Sequence, residues 1–289
     1  MAVERYVQRE AARVNWNIRE MSKEERAALK ENLVIGLIDN EEDYQAVIGY
    51  MYKKYPQEMD GLKGPDGKSN VAIQWNYKVA KNKLMTHNSI TGKDQDMYAL
   101  VVFDKARDME PVIFAGSYFK LANALARDFD TLEELKADKE LNKKYLCNSK
   151  GENDKTGKYQ RVGYGYVMFC DPNYRRLGLA TDLWWAEAQL YREALNIRVQ
   201  REIQNEYSLV STQKMFSDPS KCIITSEGRL KQDGTRSQIR VLLDYEDSDL
   251  VEGFNNMLPG LKTIYNPADL SFIEKEGFTK EELIKYWCK

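Results

Sequence analysis

The segment of the sequence best suited to ligand chemistry is DPNYRRLGLAT at residues 171–181, which joins a predicted strand to a predicted helix. The start of a helix exposes unpaired backbone N–H groups at the positive end of the helix dipole, so a loop that leads into one suits phosphate. Gly178 and Ala180 are small enough to let a pyrophosphate approach the main chain. Further donors come from Arg175, Arg176 and Thr181.

The spacing of this loop matches neither a Walker A loop nor a G-x-G-x-x-G loop. Taken alone, the residues are therefore compatible with two readings. One is a phosphate cradle, and the other is a tight turn that Gly178 relieves and whose arginines are solvated.

Other residues with catalytic or metal-binding potential are few. The single histidine, His87, has no recognisable nucleophile in its neighbourhood, so we expect it at the surface or in a loop rather than in a catalytic triad. The four cysteines lie far apart without a C-x-x-C pair, which favours reduced and mostly buried thiols over a zinc site. These cysteines are Cys147, Cys170, Cys222 and Cys288. We expect no metal.

The composition limits the function classes. The 289 residues are enough for one large or two small domains with a real core. With 43 basic and 45 acidic side chains, the net charge of -2 excludes a generally basic nucleic-acid-binding protein. The sequence contains no apolar run near the length of about 18 residues that spans a bilayer, and its start lacks the apolar region of a secretory signal. We expect a cytoplasmic protein without a membrane or nucleic-acid partner.

The elements next to the loop follow from local patterns. The run RVGYGYVMFC at 161–170 predicts a strand, and a helix is predicted from Leu179 to beyond Leu195. The pair Trp184 and Trp185 on that helix is expected to pack in a core or an interface rather than to stack on substrate.

Upstream, Ser22 and Glu25 form a capping box for a helix over 23–32, and the apolar run at 33–38 predicts a buried strand. Asp39 and Asn40 precede a helix over 41–54. The apolar runs at 98–103 and 112–117 predict an antiparallel pair of strands.

Downstream, the helical pattern is expected to continue to about Tyr207. Strands are predicted at 222–226 and 238–244, joined by a turn at 232–235, and at 261–265. A helix ended by Gly277 and a terminal helix capped by Thr279 and Glu282 complete the chain.

The residues Asp171-Pro172-x-Tyr174-Arg175-x-x-Gly178-Leu179-Ala180-Thr181 closely resemble motif A of the GNAT superfamily of acyl-CoA-dependent N-acetyltransferases, with its core Gln/Arg-x-x-Gly-x-Gly/Ala. A second stretch, from Asn266 to Glu274-Lys275-x-Gly277-Phe278, is similar to a later signature of that family. The two matches occur in the family's order, and the residues between them and upstream match only as a pattern of elements.

The resemblance implies an α/β (α+β) fold, with a GNAT-like mixed, mostly antiparallel central sheet flanked by helices. It further implies a helical extension over residues 1–30 and a GNAT-like domain over 31–289, with an insertion at about 206–260. Acetyl-CoA would be the co-substrate, in a V-shaped slot between the strands 161–170 and 261–265. The cofactor-binding residues implied are Met168, Phe169, Cys170, Arg175, Arg176, Leu177, Gly178, Leu179, Ala180, Thr181 and Asn266.

The resemblance also implies direct attack of a neutral amine on the thioester, with the oxyanion stabilised by a strand N–H near Met168 or Phe169. The position where many family members carry a tyrosine acid is Ile273, which cannot donate a proton. Tyr265 and Tyr166 are the candidates that replace it, beside Tyr164 and Ser271. For a base acting through water, the candidates are Asp171 and Glu110, each of which also suits a turn or a solvated site.

The resulting hypothesis is an acetyl-CoA-dependent N-acetyltransferase whose acceptor is an amine on a small molecule or a protein. The alternative is a GNAT-like fold without catalysis, used as a structural or interaction module such as a component of a viral assembly. The alternative is motivated by Ile273, by the insertion and by the N-terminal extension. A homo-oligomer or an assembly partner is compatible with both hypotheses.

Overall fold

A computed structural model describes residues 22–56, 87–88, 93–94, 97–121, 161–193, 199–230, 232, 234–237 and 239–287. Its helices are α1 (Lys23–Glu31), α2 (Glu41–Lys54), α3 (Leu179–Glu193), α4 (Glu206–Gln213), α5 (Ser248–Asn255), α6 (Pro259–Lys262), α7 (Phe272–Lys275) and α8 (Lys280–Trp287). Its strands are β1 (Leu33–Ile38), β2 (His87–Asn88), β3 (Lys93–Asp94), β4 (Met97–Asp104), β5 (Glu110–Leu121), β6 (Arg161–Cys170), β7 (Val199–Gln204), β8 (Ile223–Ser226), β9 (Arg229–Leu230), β10 (Arg236–Ser237), β11 (Ile239–Asp244) and β12 (Ile264–Tyr265). Among the described helices, none is both long enough and apolar enough for a bilayer span.

The predicted helix starts are confirmed by their capping interactions. The hydroxyl of Ser22 accepts a hydrogen bond from the backbone N–H of Glu25, while the Glu25 carboxylate accepts one from the N–H of Ser22. Asn40 caps α2 through the N–H of Asp43. Each cap satisfies donors that the first turn of a helix leaves unpaired.

The chain divides into two compact units. The loop unit comprises Ile18–Tyr118, Tyr166–Leu183 and Met257–Lys289, and the second unit comprises Met1–Asn17, Phe119–Gly165 and Trp184–Asn256. The strand β6 changes unit between Gly165 and Tyr166. The predicted extension over 1–30 lies outside the described residues except for 22–30, and the boundaries predicted for the extension and the insertion stay predictions.

In the loop unit, the strands follow the order β12, β1, β4, β5 and the second half of β6. The strands β1 and β4 pair antiparallel from Leu33 opposite Asp104 to Ile38 opposite Ala99. The strands β4 and β5 are also antiparallel, as predicted, with Gly116 opposite Ala99. All six residues of β1 are buried, which explains its continuous apolar run.

The helices α2 and α8 pack closely within the loop unit. A β-carbon added at Gly49 would lie 2.3 Å from the backbone oxygen of Leu283, so the contact requires a glycine. An ion pair of 2.6 Å joins Lys280 to Asp43. The predicted terminal helix and its capping box are confirmed, because Thr279 and Glu282 exchange backbone and side-chain hydrogen bonds.

In the second unit, the first half of β6 is followed by β7, β11 and β8. The pairing of β6 with β7 is parallel and runs from Val162 opposite Val199 to Gly165 opposite Glu202. The strands β7, β11 and β8 pair antiparallel, so the strands predicted at 222–226 and 238–244 are confirmed.

The prediction that the α3 helical pattern extends to about Tyr207 is wrong, because Val199–Gln204 is a strand. Its alternate residues Gln200, Glu202 and Gln204 are buried. A strand whose buried positions are polar lacks the apolar alternation that marks a strand in a sequence. The helix resumes only at Glu206, where Asn205 caps α4.

On the buried polar face of β7, the side chain of Gln200 is hydrogen-bonded by its neighbours in the second unit. The side-chain amide of Gln200 donates hydrogen bonds to the carboxylates of Glu187 and Glu202. Its carbonyl oxygen accepts one from the hydroxyl of Tyr245. Burial and the nearby carboxylates raise the pKa of Tyr245 well above its ordinary value, so its hydroxyl stays a donor at neutral pH. These polar groups therefore specify the packing of α3 on the sheet.

Trp184 and Trp185 pack inside the second unit, as predicted. Trp184 is buried, and the indole N–H of Trp185 donates to the backbone oxygen of Met215 at 3.5 Å. A β-carbon added at Gly253 would lie 2.2 Å from the Trp185 ring, so α5 also packs on this tryptophan.

Candidate functional site

The loop that follows β6 has two residues with unusual backbone angles. Asp171 caps a single 3-10 turn at Pro172–Tyr174, and α3 begins at Leu179. Between them, Arg176 has φ 63° and Gly178 has φ 81°. Positive φ is uncommon for a residue with a side chain, and turns of this kind gather successive N–H groups into anion-binding concavities.

The backbone amides of this loop are available for a ligand. The first helical hydrogen bond of α3 runs from the N–H of Asp182 to the oxygen of Gly178. Within the part of the chain that the structure describes, the N–H groups of the five residues before Thr181 make no hydrogen bond to another residue. These residues are Arg176, Leu177, Gly178, Leu179 and Ala180.

The space beside Gly178 is also open. Among the described residues, a β-carbon added there would meet one atom within 4 Å, the ammonium nitrogen of Lys30 at 3.8 Å. The residues present therefore fit a diphosphate, which needs close approach to the backbone and donors from several directions.

The side chains of the predicted phosphate site are placed unevenly. Arg176 is exposed, whereas Arg175 is half-buried and its Nε donates to the backbone oxygen of Cys170 at 3.2 Å. Thr181 is buried and already has an interaction of its own. Arg176 is thus the motif arginine that a ligand can reach most directly.

The start of the loop is anchored by the carboxylate of Asp171, which is 0% exposed. It accepts hydrogen bonds from the hydroxyl of Tyr55, from the Arg107 guanidinium at 3.3 Å and from the backbone N–H of Asn173 at 2.9 Å. The side-chain amide of Asn173 also donates to it at 3.0 Å. This carboxylate is buried and already bound by four donors, so it serves the structure of the turn rather than proton transfer.

Tyr174 anchors the same turn to the end of β4. Its hydroxyl donates to the buried carboxylate of Asp104 and accepts a hydrogen bond of 3.2 Å from Arg107. Burial and the hydrogen bond to Asp104 raise the pKa of Tyr174 to about 12, which keeps the hydroxyl protonated. The Asp and Tyr of the motif are therefore structural residues.

Glu110 completes this cluster from the start of β5. Its carboxylate is buried, forms ion pairs with Lys54 and Arg107, and accepts a hydrogen bond of 2.9 Å from the hydroxyl of Tyr50. Burial lowers the pKa of Lys54, and Arg107 lowers it further. A carboxylate held by two cations is a weak base, so the candidate role of Glu110 in catalysis has no support here.

The end of β6 leads directly into the loop. Met168 is half-buried and Phe169 is buried, with its ring 5.6 Å from that of Tyr55. Burial raises the pKa of the Cys170 thiol to about 12. Cys170 and Cys222 are free thiols, whereas Cys147 and Cys288 lie outside the described residues. His87 lies in the two-residue strand β2.

The structure does not bring Tyr265 and Asn266 to this loop. Residues 261–265 form the end of α6 and the short strand β12, which pairs in parallel with β1 at Ile35 opposite Ile264. Three strands, β1, β4 and β5, separate β12 from β6 in the loop unit, a distance of roughly 19 Å at about 4.8 Å per strand. The slot predicted between 161–170 and 261–265 is therefore wrong, because the parallel neighbour of β6 is β7.

Ile273 occupies a core position. It is 2% exposed and belongs to the apolar cluster that contains Phe272 and Leu283. The second signature thus describes a packed turn of helix that Gly277 ends with φ 77°. An apolar residue is what this site requires.

The sequence did not predict three residues of the candidate site: Lys30, Tyr55 and Arg107. Each reaches the loop or its anchor from a segment far away in the chain. The only signal in the sequence was the basic residue in the last turn of α1, which is common at helix ends. Among the described residues, no group of three or more potential metal ligands occurs.

Comparisons with known proteins give structural likenesses only. No family model matches the chain, and no curated protein sequence matches it. Arabidopsis thaliana NAA60 in complex with acetyl-CoA has 10% identity, covers 73% of this chain and 99% of its own, and has a TM-score of 0.44. The ribosomal-protein-S5-alanine acetyltransferase of Vibrio fischeri has 11% identity, covers 75% of this chain and 94% of its own, and has a TM-score of 0.42.

The CoA-dependent acyl-homoserine lactone synthase BjaI has 12% identity, covers 81% of this chain and 94% of its own, and has a TM-score of 0.44. The fold assignment rests on the chain itself. The order strand, helix, antiparallel pair, motif strand, loop and helix is the order that the resemblance predicts, whereas the parallel strand β7 after that helix was not predicted. The chain thus has a mixed α/β fold.

Proposed function

We propose that the chain is an acetyl-CoA-dependent N-acetyltransferase that transfers an acetyl group to an amine. The observation that carries the proposal is the run of five backbone amides, from Arg176 to Ala180, that have no hydrogen-bond partner in the described structure. They follow a motif-bearing strand and begin a helix of 15 residues. An array of this kind is matched to a diphosphate group.

Within the loop unit, the diphosphate and the pantetheine arm of the co-substrate have matching groups on the chain. The backbone amides from Arg176 to Ala180, with the side chain of Arg176, would hold the diphosphate. The backbone of Met168, Phe169 and Cys170 would pair with the amide groups of the pantetheine arm. When bound, acetyl-CoA supplies an acyl group activated as a thioester.

Proton transfer requires a donor for the leaving thiolate and a neutral acceptor amine. Tyr166 stays the proposed donor, because it lies on β6 two residues before Met168. Tyr265 is 50% exposed and lies on the distant strand β12, so it is not retained. Asp171 and Glu110 are bound to cations and tyrosines, so we expect the amine to arrive neutral from solvent rather than to lose its proton to either.

Calorimetric titration with acetyl-CoA tests the binding part of the proposal. We expect saturable binding by the wild-type chain, weakened at least tenfold by Arg176→Glu, since a charge reversal next to a phosphate replaces attraction with repulsion. The control Lys285→Glu reverses an exposed charge on α8 and should leave binding unchanged. Absence of binding by the wild type would refute the proposal.

The catalytic part is tested by release of free CoA thiol in the presence of a panel of small amines, aminoglycosides and peptides. Turnover that Tyr166→Phe lowers while acetyl-CoA affinity stays constant supports the role of Tyr166. Turnover that the variant leaves unchanged would remove Tyr166 from the mechanism and leave the transferase assignment intact.

A second candidate function is a GNAT-like binding or structural module without catalysis. It is favoured by Ile273, which is a buried core residue at the position of the usual tyrosine acid. Binding of acetyl-CoA without thiol release from any amine of the panel would support this candidate. Thiol release that depends on an amine would exclude it.

A further inference from the structure

The side chain of Lys30 reaches the phosphate-binding loop from a helix that precedes the first strand. Its ammonium nitrogen lies 2.5 Å from a carboxylate oxygen of Asp182 in the first turn of α3. In the part of the chain that the structure describes, it is also the one atom near the open side of Gly178, at 3.8 Å from the position that a β-carbon would take. The ammonium group of Lys30 thus lies where Gly178, which has no side chain, leaves room for a ligand.

The position of Lys30 is fixed by the helix that carries it. The Ser22–Glu25 capping box defines the start of α1. At its other end, the backbone oxygen of Asn32 accepts a hydrogen bond of 3.0 Å from the N–H of Lys105. A lysine in the last turn is also favoured by the helix dipole. The ammonium group is therefore held near the loop before any ligand arrives, which lowers the entropic cost of using it.

The partner carboxylate holds the cation but does not remove it from reach. The side chain of Lys30 is 21% exposed, whereas that of Asp182 is 9% exposed. Burial raises the pKa of Asp182, and Lys30 opposes that rise. An ammonium group has three donors, so one partner leaves capacity for a second acceptor.

We propose that Lys30 is a binding residue for the diphosphate of the co-substrate. The inference rests on the function proposed above and adds a cation from outside motif A to its site. The amides at Arg176 to Ala180 and the ammonium of Lys30 flank the same open space beside Gly178. A phosphate there accepts hydrogen bonds from the main chain and gains an ion pair at once.

Two variants with opposite expected effects test this inference. Lys30→Gln is expected to weaken acetyl-CoA binding on the order of tenfold, as expected for the loss of one charge-assisted contact. Asp182→Asn removes a negative charge beside the phosphate and is expected to leave binding unchanged or to tighten it. If Lys30 only stabilised α3 through the ion pair, both variants would weaken binding alike, and that result would overturn the inference.

The double variant Lys30→Gln/Asp182→Asn separates binding from folding, because it leaves no buried charge unpaired. It is expected to unfold at the same urea concentration as the wild type and to bind acetyl-CoA as weakly as Lys30→Gln. Binding of S-acetyl-pantetheine, which lacks the diphosphate, should not respond to Lys30→Gln. The matched control Lys285→Gln should bind both compounds like the wild type.

The outcomes distinguish the inference from the function on which it rests. A wild-type chain that does not bind acetyl-CoA would refute the proposed function, and this inference with it. A wild-type chain that binds, together with a Lys30→Gln variant of equal affinity, would refute the role of Lys30 alone.

Discussion

The hydroxyl of Tyr174 donates a hydrogen bond to the carboxylate of Asp104, which lies 70 residues earlier in the chain. Asp104 is 1% exposed, so the loss of this donor leaves a buried carboxylate oxygen without its partner. We expect Tyr174→Phe to lower the free energy of unfolding by about 1–3 kcal/mol, measured by urea denaturation. The control Tyr286→Phe, at an exposed tyrosine, should change it by less than about 0.5 kcal/mol. Equal effects of the two variants would contradict the anchoring role.

Gly178 and Gly277 form a matched pair for testing the loop. Both have positive φ, 81° and 77°, and neither would meet a close atom if it carried a β-carbon. Alanine at either position should therefore destabilise the fold similarly, by about 1–2 kcal/mol of backbone strain. Only Gly178→Ala should weaken acetyl-CoA binding in calorimetry, because its new methyl group occupies the open side of the loop. A similar loss of affinity in Gly277→Ala would show that the effect comes from stability.

Gly165 and Glu202 should be strongly coupled. A β-carbon at Gly165 would lie 1.7 Å from Oε1 of Glu202, and the two residues are directly opposite in the parallel pair of β6 and β7. Gly165→Ala is expected to cost about 1–3 kcal/mol of stability through overpacking. The double variant Gly165→Ala/Glu202→Ala should lose at least about 0.5 kcal/mol less than the sum of the single variants. Additive losses would show that the carboxylate moves aside without cost.

The stability contribution of Asp182 should fall as the pH rises. Burial raises the pKa of this carboxyl in the folded state above its value in the unfolded chain, so the folded state favours the protonated form. The contribution of Asp182 to the free energy of unfolding is then complete at pH values below its pKa in the unfolded chain. It is lost as the pH rises through its pKa in the folded state. The free energy of unfolding of Asp182→Asn minus that of the wild type should therefore increase from pH 3 to pH 7. A constant difference would mean that Lys30 fully offsets the effect of burial.

The thiols of Cys170 and Cys222 should resist alkylation in the folded protein. Burial raises the pKa of each to about 12, so at pH 8 roughly one thiol in ten thousand is the reactive thiolate. In a Cys147→Ser/Cys288→Ser variant, intact-mass measurement after treatment with iodoacetamide should show no adduct. Two adducts should form in guanidinium chloride, and adducts under native conditions would contradict the raised pKa values of these thiols.

The sequence predicted the elements whose buried residues are apolar. The run at Leu33–Ile38 and the pair Met97–Asp104 and Glu110–Leu121 follow from hydrophobic pattern alone, and the caps at Ser22 and Asn40 from turn chemistry. The strand Val199–Gln204 was missed because its buried side chains are Gln200, Glu202 and Gln204. Their burial depends on tertiary partners that a sequence window does not contain.

The candidate site could be predicted only where it is continuous in the chain. The loop at 171–181 is one such segment, and the structure confirms its position between a strand and the start of a helix. The prediction that Asn266 lies beside the strand 161–170 was wrong. Its motif defines a local turn of helix, and it does not determine which strand pairs with β12. Lys30, Tyr55 and Arg107 join the site through long-range contacts, for which spacing along the sequence gives no indication.

The pairing of β1 with β12 affects how the chain can fold during its synthesis. Leu33–Ile38 leaves the ribosome before its parallel partner Ile264–Tyr265 and the helix Lys280–Trp287, which are translated more than 200 residues later. The backbone N–H of Ala268 then donates to the oxygen of Leu37, which joins the two ends of the unit. During elongation the nascent chain therefore carries an unpaired apolar strand edge, the kind of surface that chaperones recognise.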